Sequence, residues 1–246
     1  MKIPLKARLK TVLSFVVGDI LADIGTDHAY LPIAACFEGR VVKALACDIR
    51  SGPLEIAAQN ITRYGFDNII ETRLGFGLQP IKTGEADCAV IAGMGGINII
   101  EILRQSPAVV KEMKRFILQP QHDIPAVRRA LHEMGFFITD EIVLQDKKLQ
   151  EKNNDINECR NENDKRDTKG RFYTVIVADN GYGQKIPAYT EMEYALGKHS
   201  LERKDEVLFA YVEHELHKIY RIMDFSAGRA QLGVLMGMYE EVLSWQ

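Results

Sequence analysis

The sequence predicts an α/β fold, a parallel sheet with helices on both faces, followed by a C-terminal helical hairpin. Two observations carry the sheet. Short apolar runs bounded by turn residues alternate with helical periodicity through the first two-thirds of the chain, and that alternation builds parallel strands joined by helices. Hydrophobic residues make up 46% of the chain and charged ones 26%, the ordinary balance of a globular domain with its own core. A third observation carries the hairpin. Two apolar stripes at spacings of three and four residues lie near the end of the chain, the repeat of one helix face.

The elements follow in order. The basic start, LKARLKTV at Leu5 to Val12, puts Arg8 on a helix face with Leu5, Leu9 and Val12 behind it. Ile20 to Ile24 reads as a strand and Ala29 to Phe37 as a helix; Val42 to Ile49 is a second strand, followed by a helix from Gly52 to Tyr64. Ile69 to Arg73 and Ala86 to Ala92 are short buried strands, and Ile97 to Leu103 opens a helix. Phe116 to Leu118 is a strand, Ile124 to Met134 a helix and Phe136 to Leu144 a further strand. Lys147 to Gly170 breaks the pattern, rich in charge and asparagine with almost nothing apolar. Such a composition does not repay its ordering entropy, so a mobile loop is expected there. Arg171 to Ala178 (RFYTVIVA) resumes as a strand, and the two strands flanking the loop suggest an antiparallel hairpin at one sheet edge. Leu208, Val212, Leu216, Ile219 and Met223 form one helical stripe; Leu232, Leu235, Met236, Tyr239 and Val242 form the other, after a break at Asp224 to Gly228. They are expected to pack as an antiparallel helical hairpin. The chain thus divides into a sheet domain, 1–187, and a helical domain, 188–246.

Charge and cysteine usage exclude several classes. Cys36, Cys47, Cys88 and Cys159 form no C-x-x-C pair and no cluster with histidine at ligand spacing, so neither a disulfide scaffold nor a metal site is expected. No apolar run approaches the roughly 18 residues of a membrane span, and the first residues do not read as a secretory leader. A cytoplasmic protein with no membrane contact, acting as a monomer, is the expectation. The net charge of −3 gives no general affinity for nucleic acid. Lys2, Lys6, Arg8 and Lys10 nevertheless all precede the first acid, Asp19. Any grip on RNA has to be local.

In a doubly wound sheet, ligands bind beyond the carboxyl ends of the strands. The first strand ends in DIGTDHAYLP, Asp23 to Pro32. A dinucleotide site wants three glycines there to approach a pyrophosphate; only Gly25 is present, and Asp27 would repel phosphate. S-adenosylmethionine carries no phosphate, and Asp23 or Asp27 can accept from its ammonium. Asp48, closing the second strand, can accept from both ribose hydroxyls. The alternative is that Asp23 and Asp27 cap the following helix. The fourth strand runs into AGMGG, Ala92 to Gly96, where glycines let a planar base lie against the chain. The D-P-P-Y or N-P-P-Y of amino-methylating enzymes is absent, which leaves a ring nitrogen, a sulfur or an oxygen as the methyl acceptor.

DIGTDHAYLP, AGMGG followed by a helix, and LQP at Leu118 to Pro120 together resemble the bacterial TrmK family of tRNA (adenine(22)-N1)-methyltransferases. The likeness runs from LKARLKTV through GPLEIAAQN at Gly52 to Asn60, to the FYTVIVA strand and the final helices. It implies a class I, Rossmann-like S-adenosylmethionine-dependent methyltransferase sheet of seven strands, with C-terminal helices that help grip tRNA. On that resemblance Asp23, Gly25, Asp27, His28 and Asp48 line the cofactor, together with Gly75, Phe76 and Gly93. Gly93, Met94 and Gly95 form the floor near the target base, and Arg8, Tyr30, Gln119 and Pro120 belong to the substrate side. One departure stands out. Members read G-D-G-L after the third strand, whereas Gly75 to Leu78 reads GFGL, so Phe76 is expected to stack on the adenine that an acid would otherwise hold.

N1 of neutral adenine is already nucleophilic, so catalysis is expected to come from orientation and electrostatics. Asp27 is the candidate to stabilise the positive charge that grows on the base. N1 lies within a Watson–Crick pair, so the base has to be unpaired or flipped out. The basic N-terminal residues would meet phosphates, which fix position without reading sequence. Two other readings stay open: a methyltransferase for a small molecule, and a non-catalytic RNA-binding module on the same fold.

Overall fold

The computed structural model describes residues 3–146, 171–223 and 229–246, with the side chains of 221–231 left aside. The described residues fall into two compact units: Met1–Glu141 with Thr174–Ala188, and Ile142–Tyr173 with Tyr189–Gln246. The expected loop at 147–170 and the break at 224–228 lie outside the described residues.

The first unit opens with α1 (Ala7–Ser14). Then come β1 (Ile20–Ile24), α2 (Tyr30–Phe37), β2 (Lys43–Asp48), α3 (Ser51–Tyr64) and β3 (Ile70–Leu74). β4 (Cys88–Met94), α4 (Gly96–Arg104), α5 (Pro107–Glu112), β5 (Arg115–Pro120) and α6 (Ile124–Glu133) continue the alternation. β6 (Phe136–Asp146) and β7 (Arg171–Asn180) complete a seven-stranded sheet of order β3-β2-β1-β4-β5-β7-β6. β1 to β5 are parallel, and β7 runs antiparallel to β5. β6 and β7 are neighbours at one edge of the sheet, where the hairpin was expected. The short helix α5 carried no periodic signal, since a helix of six residues is too short to repeat a face.

The apolar runs become strands because both sheet faces are covered, so β1, β2, β4 and β5 have no polar-outward alternation to preserve. Leu21, Ala22, Leu45, Val90, Ile91 and Ile117 are fully buried. The edge strands β3 and β6 are less completely buried, and β6 alternates over much of its length. In β3, Arg73 is held by Glu71 and Glu85, with Nη2 2.6 Å from Glu85 Oε1, and the ion pair holds the Glu85 carboxyl down at about 2. Arg128 of α6 and Glu141 of β6 are both buried and meet at 2.6 Å. A charge pair of this kind tolerates loss of neither partner.

In the second unit, α7 (Glu191–Leu196) starts on a capping box in which Thr190 Oγ1 accepts from the Glu193 amide and Glu193 Oε2 accepts from the Thr190 amide. α8 (Lys198–Arg203) leads to the long helices α9 (Glu206–Met223) and α10 (Arg229–Leu243). Leu208, Val212, Leu216 and Ile219 of the first stripe share a buried cluster with Tyr239 and Val242 of the second, and Leu232, Leu235 and Met236 pack against it. The stripes are a core. The short helices α7 and α8 went unseen in the sequence for the same reason as α5.

Candidate active site

β1 has β2 on one side and β4 on the other, so the connecting helices diverge here and leave a crevice at the carboxyl ends. Four segments border it: the turn after β1, the end of β2, the glycine run after β4 and the loop after β5.

The turn after β1 is tightly wound. Gly25, Asp27 and Ala29 all have positive φ, at 75°, 51° and 57°. A non-glycine residue rarely adopts this conformation, and alanine has no polar side chain to compensate for it. Backbone strain of this kind persists where surrounding contacts over-determine it. Here the Gly25 and Thr26 amides both donate to the Cys47 carbonyl, and the Ala29 amide donates to the Thr26 carbonyl. Asn60 Nδ2 of α3 donates to the His28 carbonyl at 2.9 Å. Ala29, not an aspartate, stands at the N-cap position before α2, and no side chain caps the helix. The helix-cap alternative for Asp23 and Asp27 is therefore overturned, and α2 starts one residue later than expected.

Asp23 is buried at the end of β1, with Oδ2 accepting from the Thr26 hydroxyl at 2.7 Å. Burial pushes its carboxyl up to about 6; the Thr26 bond opposes this and the Asp48 charge adds to it. Asp48 is buried at the end of β2, where its Oδ1 accepts from the Arg50 amide at 2.9 Å. Its other oxygen has no partner among the described residues. Two buried carboxylates on adjacent strands, with only the exposed Arg50 guanidinium 3.7 Å from Asp48 Oδ1, suit a ligand that brings its own donors: an ammonium and a pair of hydroxyls fit. Gly25 lies against Met94, whose Cε would be 2.5 Å from any Cβ placed there. Asp27 is two-thirds exposed, its carboxylate 3.5 Å from His28 Nε2, and the His28 and Tyr30 rings pack at 5.7 Å between centroids. The Gly75 amide donates to the Asp48 carbonyl. Phe76 is half-buried in the turn after β3; the Ile49 and Leu74 side chains, at the ends of β2 and β3, are exposed.

The glycine floor is also built. β4 shifts register between Ala92 and Met94, which leaves Gly93 as a bulge with φ 81°. Arg8 of α1 reaches this point: its Nη1 would be 3.4 Å from a Cβ at Gly93 and donates to the buried Gln119 side chain. Gln119 Nε2 donates on to the Pro120 carbonyl. The sequence placed Arg8 on a helix face toward the substrate side, and the structure brings it beside the floor. The loop after β5 was missed altogether. Gln121 Nε2 donates to the Gly93 carbonyl, the Gln121 amide donates to the Met94 carbonyl, and the Gly96 amide donates to the His122 carbonyl. The signal was present in the polar run QHD directly after LQP, at the end of a strand.

Among the described residues, no group of three or more His, Cys, Asp or Glu is placed to hold a metal ion, and no helix is long and apolar enough to cross a membrane.

Comparison with known proteins gives this geometry a context. Residues 5–150 match the family described as a methyltransferase domain. The chain is 37% identical over 181 residues to the tRNA (adenine(22)-N(1))-methyltransferase of Bacillus subtilis, covering 73% of this chain and 67% of that one. Among solved structures, a Streptococcus pneumoniae protein in complex with S-adenosyl-L-methionine superposes with a TM-score of 0.82 at 27% identity, over 97% of this chain and 99% of that one. The B. subtilis m1A22 tRNA methyltransferase TrmK superposes with a TM-score of 0.79 at 28% identity, over 98% and 100%.

Proposed function

Because the chain belongs to the tRNA (adenine(22)-N(1))-methyltransferase family, we propose that it methylates N1 of adenine 22 in tRNA, with S-adenosylmethionine as the methyl donor. The observation that carries this reading is the pair of buried carboxylates, Asp23 and Asp48, on the two strands beside the Gly25 turn. Asp48 holds the ribose hydroxyls through the oxygen that Arg50 leaves open, and Asp23 holds the methionine ammonium. Ile49, Leu74 and Phe76 offer an apolar wall for the adenine ring. The bound cofactor supplies a methyl group on a sulfonium, a carbon already activated for displacement.

The chain's own residues then orient and neutralise. Gly93 to Gly95 present backbone without side chains, so the flipped base lies flat against the floor. The N1 lone pair forms the new N–C bond as the C–S bond breaks, and the base becomes a cation. Asp27 stands exposed at the rim and stabilises that charge. Arg8 carries the same sign as the product base, so its place is on the phosphate of the flipped nucleotide. The second unit adds a further surface for tRNA. The protein acts as a monomer in the cytoplasm, where its substrate is.

The test is incubation of the purified protein with a tRNA transcript and methyl-labelled cofactor. The reading predicts label in the RNA; absence of label, with cofactor binding intact by calorimetry, would contradict it.

A further inference from the structure

His122 and Asp123 form a pair that none of the roles above uses. They sit in the loop between β5 and α6, which three hydrogen bonds dock onto Gly93, Met94 and Gly96. The His122 side chain is 66% exposed, yet one edge of its ring lies on the floor. A Cβ at Gly95 would come within 2.5 Å of its Cε1 and 2.7 Å of its Nε2. Nδ1, on the same edge at 3.4 Å from that point, meets Asp123 Oδ2 at 2.6 Å. A carboxylate only accepts, so Nδ1 carries the hydrogen in this contact, and in that tautomer of the uncharged ring Nε2 is the acceptor. Asp123 itself has a left-handed backbone, φ 56°, at the start of α6, which fixes it beside the ring.

Adenine differs from the other purine bases at the edge that carries N1. Its 6-amino group is a donor there, adjacent to the reacting nitrogen, whereas guanine and hypoxanthine present a carbonyl oxygen. The floor residues of this chain include Arg8, which only donates, and Gln121, whose Nε2 donates to the Gly93 carbonyl and whose Oε1 is an acceptor beside that of His122. An acceptor held at the edge of a glycine floor is the complement of an amino group. We infer that His122 reads the target base, accepting from the adenine 6-amino group through Nε2, while Asp123 is a positioning residue that fixes the ring tautomer. The inference rests on the proposed tRNA adenine methylation and names the contact that selects the base. It also accounts for Gly95, since any side chain there would displace the ring.

The experiment compares the affinity of the protein, saturated with S-adenosylhomocysteine, for two tRNAs. One carries adenosine at the target position and the other purine riboside, which lacks only the amino group. The wild-type protein is expected to prefer the adenosine tRNA roughly tenfold, the upper end of the net worth of one hydrogen bond. His122→Ala and His122→Phe should bind both tRNAs equally, at the weaker value, with cofactor affinity unchanged. Asp123→Asn, which tolerates the left-handed backbone, should lose part of the preference. A wild-type protein without preference, or a His122 variant that retains it, would overturn the inference. Phenylalanine restoring the preference would do so too, because it fills the space but cannot accept. Wild-type protein that binds tRNA yet transfers no methyl would instead count against the proposed function.

Discussion

Asp23 shows how a single residue trades stability for binding. Its carboxyl is raised to about 6 by burial, so between about pH 4 and pH 6 the folded state keeps a proton that the unfolded chain has released. Stability of the free protein therefore falls as pH rises through that window, by about 3 kcal/mol in all. Asp23→Asn removes the charge while an amide oxygen can still accept from Thr26. The variant should melt several degrees higher at pH 8 and lose most of its affinity for S-adenosylmethionine, as differential scanning and calorimetry would show. In the wild type, cofactor affinity should weaken below about pH 6, where Asp23 takes up its proton and no longer attracts an ammonium. A pH-independent affinity would place the ammonium elsewhere. Asp27 is a different case, exposed and carrying no helix cap. If it neutralises the developing base cation, Asp27→Asn lowers the single-turnover rate about a hundredfold to a thousandfold at saturating cofactor. A variant with normal saturated chemistry would remove it from catalysis. Both aspartates were legible in the sequence because an acid beside a lone glycine at a strand end has few structural uses. Thr26 and Asn60 were not, because what they satisfy is set by the fold rather than by any local pattern.

At the scale of elements, the glycine run after β4 separates packing from chemistry. A Cβ at Gly96 would meet the backbone oxygens of His122 and Asp123 at 2.6 and 2.8 Å. Neither can move without undocking the loop, so Gly96→Ala should cost about 2 kcal/mol despite alanine's preference for a helix. A Cβ at Gly95 would meet only the exposed His122 ring, which can swing away. Gly95→Ala should therefore melt close to wild type while its tRNA methylation falls. Equal melting losses in the two variants would contradict this view of the floor. The sequence announced the floor through its glycines but not the loop that lies on it. Contacts between Gln121 or His122 and Gly93 to Gly96 are set by the pairing of β4 with β5, which no local pattern encodes. The bulge at Gly93, which turns the end of β4, was hidden for the same reason.

For the whole molecule, the parallel strands were readable because sheets covered on both faces require continuous apolar runs. The position of β7 between β5 and β6 was not, since strand order at an edge leaves little trace in composition. The sheet unit contains every residue proposed to hold the cofactor. A chain ending at Ala188 should thus bind S-adenosylmethionine with near wild-type affinity and lose methylation of tRNA, measured by calorimetry and label transfer on one preparation. Full methylation by the truncated chain would remove the helices from substrate binding. The central claim is methyl transfer to one nitrogen of one base, and mass spectrometry of the nucleosides and fragments of a reacted tRNA transcript tests it most directly. The account predicts a single 1-methyladenosine at position 22, and none when that adenosine is replaced by guanosine. A methyl group on another atom or position, or one that survives the replacement, would contradict it.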